Sequence, residues 1–278
     1  MAVGAAKRYM IASMTNWISG HCDANDVDIH YLRTGGCKPP LIALHGLTGS
    51  GACWTPLARA LEPDYDVVMP DARGHGESDA PLHGYQYRDH AGDVLGLIET
   101  LGLDAPVVLG HSMGGMTAAL VASEAGTAIG AVILADPTFL SPEGQRLVFE
   151  SDVIEQHQRM LKLDKAAALA QARLQRPHRS PELIELIVDA RLKTHMRAFD
   201  VLVPPNPDYR ALLSDICVPI LLIVGDNGVV PVEAAQEMLT LNPRLRYERI
   251  ADAGHGLHYD QPDRFAAAVR SFLQDVVE

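Results

Sequence analysis

The sequence predicts an α/β fold in which a mainly parallel sheet is covered by helices on both faces. Short, continuous apolar runs recur along the chain, as expected of strands buried on both faces. Stretches with the apolar spacing of a helix separate these runs, and such alternation is typical of parallel sheets. One long stretch, residues 137–210, shows helical spacing alone. It predicts a helical cap inserted into a core formed by residues 1–136 and 211–278.

Seven segments are predicted to be strands. The first, residues 27–32, alternates apolar and polar side chains, which favours a half-exposed strand at the edge of the sheet. The other six are mostly apolar and lie at 41–44, 66–69, 106–109, 131–135, 219–224 and 247–250. Residues 1–24 are interpreted as partly disordered or as an extra helix, with no choice between the two.

Helices are predicted between the strands of the core, at residues 53–61, 87–101, 116–122, 231–241 and 262–277. Gly102 is well placed to end the second of these, because glycine readily adopts the left-handed conformation found at helix ends. In the predicted cap, apolar residues repeat with helical spacing over residues 147–154, 161–174 and 183–192.

Length, charge and composition limit the classes of protein to which the chain can belong. The chain has 278 residues, enough for one large α/β domain or two small ones. Its net charge of −12 argues against a nucleic-acid partner, and no apolar run is long enough to predict a membrane span. Lys7 and Arg8 precede no long apolar segment, so we expect no signal peptide and a cytoplasmic protein. The four scattered cysteines are expected to be reduced thiols.

One turn carries the strongest chemical signal. The sequence Gly110-His111-Ser112-Met113-Gly114 follows a predicted strand and precedes a stretch of helix-forming composition. The glycines have no Cβ to clash in a tight turn, which lets a strained Ser112 project its hydroxyl from the sheet edge. The backbone N–H of Met113 would then point to where an oxyanion forms. The pattern predicts a nucleophilic serine.

Four motifs in order resemble the α/β-hydrolase superfamily along nearly the whole chain. They are His45-Gly46, Asp71-x-Arg73-Gly74-x-Gly76-x-Ser78, Gly110-x-Ser112-x-Gly114, and Gly254-His255 followed by Asp260 and Pro262. The resemblance implies a serine hydrolase with Ser112 as nucleophile and with the N–H groups of Leu47 and Met113 as oxyanion donors. The sequence shows no metal-ligand cluster, dinucleotide-binding glycine pattern or phosphate loop, so we expect no metal and no cofactor.

His255 is the expected base, because a neutral imidazole can take the serine proton and later deliver it to the leaving group. His258 is the local rival, although it is also placed to pack beneath the loop. His111, inside the turn, is interpreted as structural or pocket-lining. His45 and His75 are expected to hydrogen-bond their own loops.

The acid that orients the histidine has two candidates. Family members commonly place it in a Gly-x-x-Asp-x-x-x-Pro pattern after the strand that follows the cap, but here Asn227 stands at that spacing from Pro231. Asp226, one residue earlier, is one candidate. Asp136, directly after the preceding strand, is the favoured one, and its alternative role is to cap a helix.

The predicted cap suggests an anionic substrate. Residues 137–210 hold eleven Lys or Arg and ten Asp or Glu, so this segment is nearly neutral in an acidic chain. Arginine holds a carboxylate through two hydrogen bonds, and Arg146, Arg176 and Arg179 are the candidates to bind a substrate carboxylate.

Within the family, the chain size, an acid after the sixth strand and an arginine-bearing cap resemble bacterial hydrolases of vitamin B6 degradation. That resemblance implies cleavage of an enamide bond in a small dicarboxylate. A carboxylesterase, an enol-lactonase and a carbon–carbon bond hydrolase stay open, as does a ligand receptor that keeps the fold without catalysis. The sequence also leaves a homo-oligomer open.

Overall fold

The computed structural model describes residues 17–277, which form an eight-stranded sheet and eleven α-helices. The strands are β1 Ile18–Ala24, β2 Val27–Arg33, β3 Pro40–Leu44, β4 Asp66–Pro70, β5 Val107–His111, β6 Ala131–Ala135, β7 Ile220–Asn227 and β8 Leu245–Gly254. Their order in the sheet is β1-β2-β4-β3-β5-β6-β7-β8. Strands β4, β3 and β5 to β8 run parallel, so the predicted α/β architecture is confirmed.

Strand β2 is not the edge of the sheet, and that part of the prediction is wrong. Residues Ile18–Ala24 form β1, which pairs antiparallel with β2 over its whole length. The prediction failed because β1 buries only Cys22 and Ala24, too few residues to give an apolar pattern. Residues 1–16, including Lys7 and Arg8, lie outside the described part of the chain.

The core helices are α1 Thr55–Leu61, α2 Tyr87–Thr100, α3 Met113–Ala125, α9 Val232–Met238, α10 Leu257–Asp260 and α11 Pro262–Val277. A 3₁₀ turn at Gly51–Trp54 leads into α1, so the helix predicted at 53–61 has two parts. Helix α2 ends before Gly102, which has a φ of +59°.

Two apolar clusters cover the two faces of the sheet. Ile42 and Leu44 of β3 pack in one cluster with α2, α3 and α9, whereas Leu41 and Ala43 pack in the other with α1 and α11. This alternation explains why the strand is apolar throughout, since each burial of an aliphatic side chain contributes about 1.5–3 kcal/mol. Both faces are thereby sealed, and the chemistry is confined to the carboxyl edge of the parallel strands.

The segment between β6 and β7 is helical. It holds α4 Pro142–Phe149, α5 Val153–Leu161, α6 Lys165–Gln175, α7 Pro181–Leu192 and α8 Tyr209–Asp215, with a 3₁₀ helix at Met196–Leu202. Helices α6 and α7 share a small apolar cluster of their own around Ala168, Ile184 and Val188. No helix within residues 17–277 combines the length and the apolar character that crossing a bilayer requires.

Candidate active site

Ser112 occupies a strained turn between β5 and α3. Its φ of +55° and ψ of −117° lie where a side chain is rarely tolerated, and such strain is stored at functional sites. A Cβ on Gly110 would lie 2.0 Å from the Gly114 carbonyl oxygen, and one on Gly114 would lie 2.5 Å from the Leu44 carbonyl oxygen. The two glycines therefore allow the turn to close against itself and against β3.

The structure brings Ser112, His255 and Asp136 into one hydrogen-bonded chain. His255, which follows β8, places Nε2 2.9 Å from the Ser112 Oγ and Nδ1 2.5 Å from Asp136 Oδ2. Because a carboxylate only accepts, His255 donates from Nδ1, and Nε2 is left to accept the serine proton. Asp136 is fully buried, whereas the imidazole is 40% exposed and open to a ligand.

The burial of Asp136 is compensated by three donors. Besides His255, the N–H of Val229 lies 2.8 Å from Oδ2 and the N–H of Val230 lies 2.9 Å from Oδ1. A Cβ on Gly228 would fall 2.5 Å from Oδ1, so the loop after β7 can close over the carboxylate only with glycine there. Asp136 caps no helix, since the N-cap of α4 is Ser141.

Asp226, the alternative acid, lies away from the histidine. Its Oδ1 accepts from Arg249 Nε at 2.6 Å and its Oδ2 from the Asp252 N–H at 3.0 Å. Asn227 is exposed at the end of β7. Neither side chain takes part in the chain that runs from Ser112 to Asp136.

Two neighbouring histidines support the loop of His255. His111 donates from Nε2 to the His255 carbonyl oxygen at 2.8 Å, and burial lowers the pKa of its ring well below the usual range. His258 is buried and stacks on Trp54 with ring centroids 4.4 Å apart. Burial also lowers the pKa of His258, so both rings remain neutral at pH 7.

The other motif residues hold the loops around the site. His45 Nδ1 donates to the Gly46 carbonyl oxygen at 2.8 Å, and His75 Nδ1 donates to that of Arg73 at 3.0 Å. Arg73 is buried and paired with Asp93, with Nε 2.7 Å from Oδ2. The Asp-x-Arg-Gly segment is therefore structural.

Leu47 and Met113 line a cavity together with Ser112. The Met113 N–H begins α3 and so has no acceptor within that helix. A Cβ on Gly46 would lie 2.9 Å from His111 Nδ1 and 3.0 Å from Ser112 Cβ, so glycine lets the loop approach the serine closely. The backbone next to Leu47 therefore runs directly alongside the Ser112 side chain.

Arg176 and Arg179 line a cavity of about 280 Å³ that also contains Ser112 and His255; we call it the cationic cavity. Arg179 is mostly buried and engaged: its Nη2 lies 2.6 Å from Asp260 Oδ1, and its Cζ lies 5.2 Å from the centre of the Tyr259 ring. Arg179 thus ties the segment before α7 to the short helix that follows His255.

Arg146 does not line this cavity, and we do not retain it as a substrate-binding residue. It lies exposed on α4, with Nη2 2.6 Å from Glu143 and Nη1 2.9 Å from Glu150. Acidic residues three before and four after an arginine on a helix are its natural partners. That spacing was visible in the sequence.

Arg191, near the end of α7, was missed by the sequence analysis and lines the cationic cavity. Its side chain is open to water in the cavity, but surrounding protein atoms and the charges of Arg179 and Arg176 lower its pKa from the ordinary value. Within residues 17–277, no carboxylate lies within 4.0 Å of Arg191 or Arg176, whereas Arg179 has one. The cavity therefore holds uncompensated positive charge next to Ser112.

The described residues, 17–277, contain no group of three or more His, Cys, Asp or Glu side chains arranged to hold a metal ion.

Residues 41–268 match the sequence model of the alpha/beta hydrolase family. The chain is similar to N-formylmaleamate deformylase of Pseudomonas putida, with 30% identity over 265 residues that cover 91% of this chain and 96% of that protein. It is also similar to 2-(acetamidomethylene)succinate hydrolase of Mesorhizobium japonicum, with 32% identity over 123 residues, 44% of each chain.

The crystal structure of an N-formylmaleamic acid deformylase from Pseudomonas putida S16 shares the fold, with a TM-score of 0.78 and 23% identity; it covers 91% of this chain and 100% of that one. The family match spans well over half of the chain and includes the Ser112 turn and the His255 loop. The chain belongs to the alpha/beta hydrolase family.

Proposed function

We propose that the chain is a serine hydrolase that needs no cofactor and cleaves the enamide bond of a small anionic substrate, with 2-(acetamidomethylene)succinate as the first candidate. One observation carries the proposal: the hydrogen-bonded chain Ser112–His255–Asp136 opens onto a cavity lined by three arginines, two of which have no carboxylate partner among residues 17–277. The names of the two relatives, a deformylase and an acetamido-compound hydrolase, support an N-acyl substrate that carries carboxylates.

In the proposed mechanism, His255 removes the proton of Ser112 as the hydroxyl oxygen attacks the acyl carbonyl carbon. The N–H groups of Leu47 and Met113 stabilise the oxyanion, a contribution worth about 10²–10³ in kcat for each such donor. His255 then gives the proton to the leaving nitrogen, and the acyl group stays on Ser112. Water, deprotonated by the same ring, releases the acyl group as a carboxylic acid, while Asp136 stabilises the imidazolium in both steps.

Substrate recognition is assigned to Arg176 and Arg191. Both face the cationic cavity, and neither is paired with a carboxylate among residues 17–277. A guanidinium can hold a carboxylate in two parallel hydrogen bonds. Residues 137–210 would then act as a cap that roofs the core and supplies these arginines.

The test is hydrolysis of 2-(acetamidomethylene)succinate by the wild-type chain, followed as acetate release, with Ser112→Ala as the inactive control. We expect turnover by the wild type and its loss in the variant. A fluorophosphonate probe should label the wild type at Ser112 and leave Ser112→Ala unlabelled.

Turnover of small esters or lactones in place of this enamide would move the protein to another class of hydrolase. Tight binding of the ligand without labelling of Ser112 would contradict the proposal and favour a receptor.

A further inference from the structure

A second cavity, also about 280 Å³, opens at Ser112; we call it the apolar pocket. It is lined mainly by aliphatic side chains, among them Leu140, Val148, Val153, Val201, Leu202 and Val229. It shares four lining residues with the cationic cavity, which are Leu47, Thr48, Ser112 and His255. The serine hydroxyl therefore sits where two chambers of opposite character meet.

The polar groups of the apolar pocket are largely engaged with one another. The Tyr87 hydroxyl lies 2.9 Å from the Thr138 hydroxyl, and burial raises the pKa of Tyr87 to about 12, so it stays neutral. Gln145 donates to the Leu140 carbonyl oxygen at 3.2 Å and accepts from the Asn206 N–H at 2.9 Å. The Asn206 side-chain oxygen is the exception, with no protein partner among residues 17–277.

The difference in charge between the two cavities indicates how the proposed substrate would be oriented. Among residues 17–277, no Lys, Arg, Asp or Glu side chain lines the apolar pocket, so burying a carboxylate there would leave it without a counter-ion. The arginines in the cationic cavity supply that counter-ion. The carboxylates of the leaving group thus belong in the cationic cavity, and the acyl group belongs in the apolar pocket.

The size of the apolar pocket exceeds what a formyl or acetyl group fills. An apolar cavity of about 150 Å³ already holds benzene. Resting on the proposed function, we propose that the preferred substrate is an N-acylated enamide dicarboxylate whose acyl group is a benzoyl or a medium-length alkanoyl group, seated in the apolar pocket.

The test is an acyl series on one leaving group: the acetyl, butyryl, hexanoyl and benzoyl derivatives of aminomethylene succinate. Burial of each added CH₂ should raise kcat/KM about fourfold until the pocket is full. We therefore expect the hexanoyl or benzoyl compound to exceed the acetyl compound at least tenfold. If the acetyl compound is turned over and kcat/KM falls as the acyl group grows, this inference is wrong and the proposed function stands. If no member is hydrolysed, both are wrong.

A pair of variants locates the effect. Val148→Trp should fill the apolar pocket and lower the hexanoyl-to-acetyl ratio of kcat/KM at least tenfold. Leu147→Trp, on the adjacent but 56% exposed position of α4, is the matched control and should leave the ratio unchanged. If Val148→Trp does not fold, Val153→Phe on α5 makes the same test. An unchanged ratio in the folded pocket variant would overturn the assignment of the acyl group to this pocket.

Discussion

At the scale of single residues, Asp136 and Asp226 differ in their surroundings. Asp136 is enclosed by the imidazole and two backbone N–H groups, whereas Asp226 faces Arg249 at the surface. An amide at position 136 would fit the space but could not stabilise the imidazolium. If the proposed mechanism holds, Asp136→Asn should lower kcat about 10³–10⁴-fold, as loss of the acid does in known serine triads.

Asp226→Asn is the matched control for that substitution and should stay within about twofold of the wild-type kcat. Steady-state kinetics on whichever substrate the wild type turns over fastest measures both variants. Comparable losses in the two, or a larger loss at position 226, would overturn the assignment of the third member.

The sequence could single out Ser112 and His255 because each lies in a local motif whose spacing reflects backbone geometry. It favoured Asp136 over Asp226 but left both open, because only the folded loop shows which carboxylate the Val229 and Val230 N–H groups enclose. Arg191 carries no local signal at all. Its position in the cavity depends on how α7 packs against the core, which is tertiary information.

At the scale of elements, the helices between β6 and β7 present two kinds of arginine. Arg176 and Arg191 face the cationic cavity, whereas Arg146 is satisfied by Glu143 and Glu150 on its own helix. A hydrogen bond to a charged group contributes about 1.5–3 kcal/mol. We therefore expect Arg176→Ala and Arg191→Ala each to raise KM for a dicarboxylate substrate at least tenfold.

Arg146→Ala is the matched control for these two variants, because it removes the same charge from an exposed surface. Its KM should equal that of the wild type. Salt screens charge–charge attraction, so KM should rise with salt in the wild type and in Arg146→Ala, and this rise should be smaller in Arg176→Ala and Arg191→Ala. A similar KM for all three variants would show that net charge, not the cavity, governs affinity.

Arg179 has a different task, because its guanidinium is already bonded to Asp260. Asp260 also accepts from the Gly254 N–H at 3.2 Å, and a Cβ on Gly256 would lie 3.0 Å from Arg179 Nη2. The arginine thus lies beside Gly256, and its partner Asp260 bonds Gly254, so the pair contacts the residues on both sides of His255 in sequence. It couples the position of the helical segment to the loop that carries the imidazole, and we therefore propose that Arg176 and Arg191, rather than Arg179, recognise the substrate.

The elements themselves were predictable where burial is complete on both faces of the sheet. Strands β3 to β7 each contain a continuous apolar run, and these runs located the strands to within a few residues. Strand β1 is mostly exposed, so no apolar run marks it, and its absence from the prediction made β2 look like an edge. A strand is therefore easier to predict from its sequence pattern when more of its surface is buried.

At the scale of the whole molecule, buried histidines link stability to pH. Six are at most 8% exposed and have a pKa lowered mainly by burial: His45, His75, His90, His111, His157 and His258. In the unfolded chain each has a pKa near 6.5, so below that pH the unfolded state binds protons that the folded state excludes. Stability therefore falls as the pH drops through about 6.5, and it is fully present above that value.

The expected loss of folding stability at mildly acidic pH is large enough to measure. With a folded pKa of about 3, His90 alone should contribute about 1 kcal/mol to the loss between pH 7 and pH 5.5, and the other buried histidines shift stability in the same direction. His90 is the best single probe, because burial and the charge of Arg73 lower its pKa to about 3, while Asp71 and Asp93 line the same small cavity.

Chemical denaturation at pH 7 and at pH 5.5 measures the drop in stability. In His90→Gln the drop should shrink by about 1 kcal/mol, because one proton fewer is taken up on unfolding. His83→Gln, at an exposed position, should leave the drop unchanged. An identical drop in His90→Gln and the wild type would mean that carboxylates, rather than excluded imidazolium charges, set the acid limit of this fold.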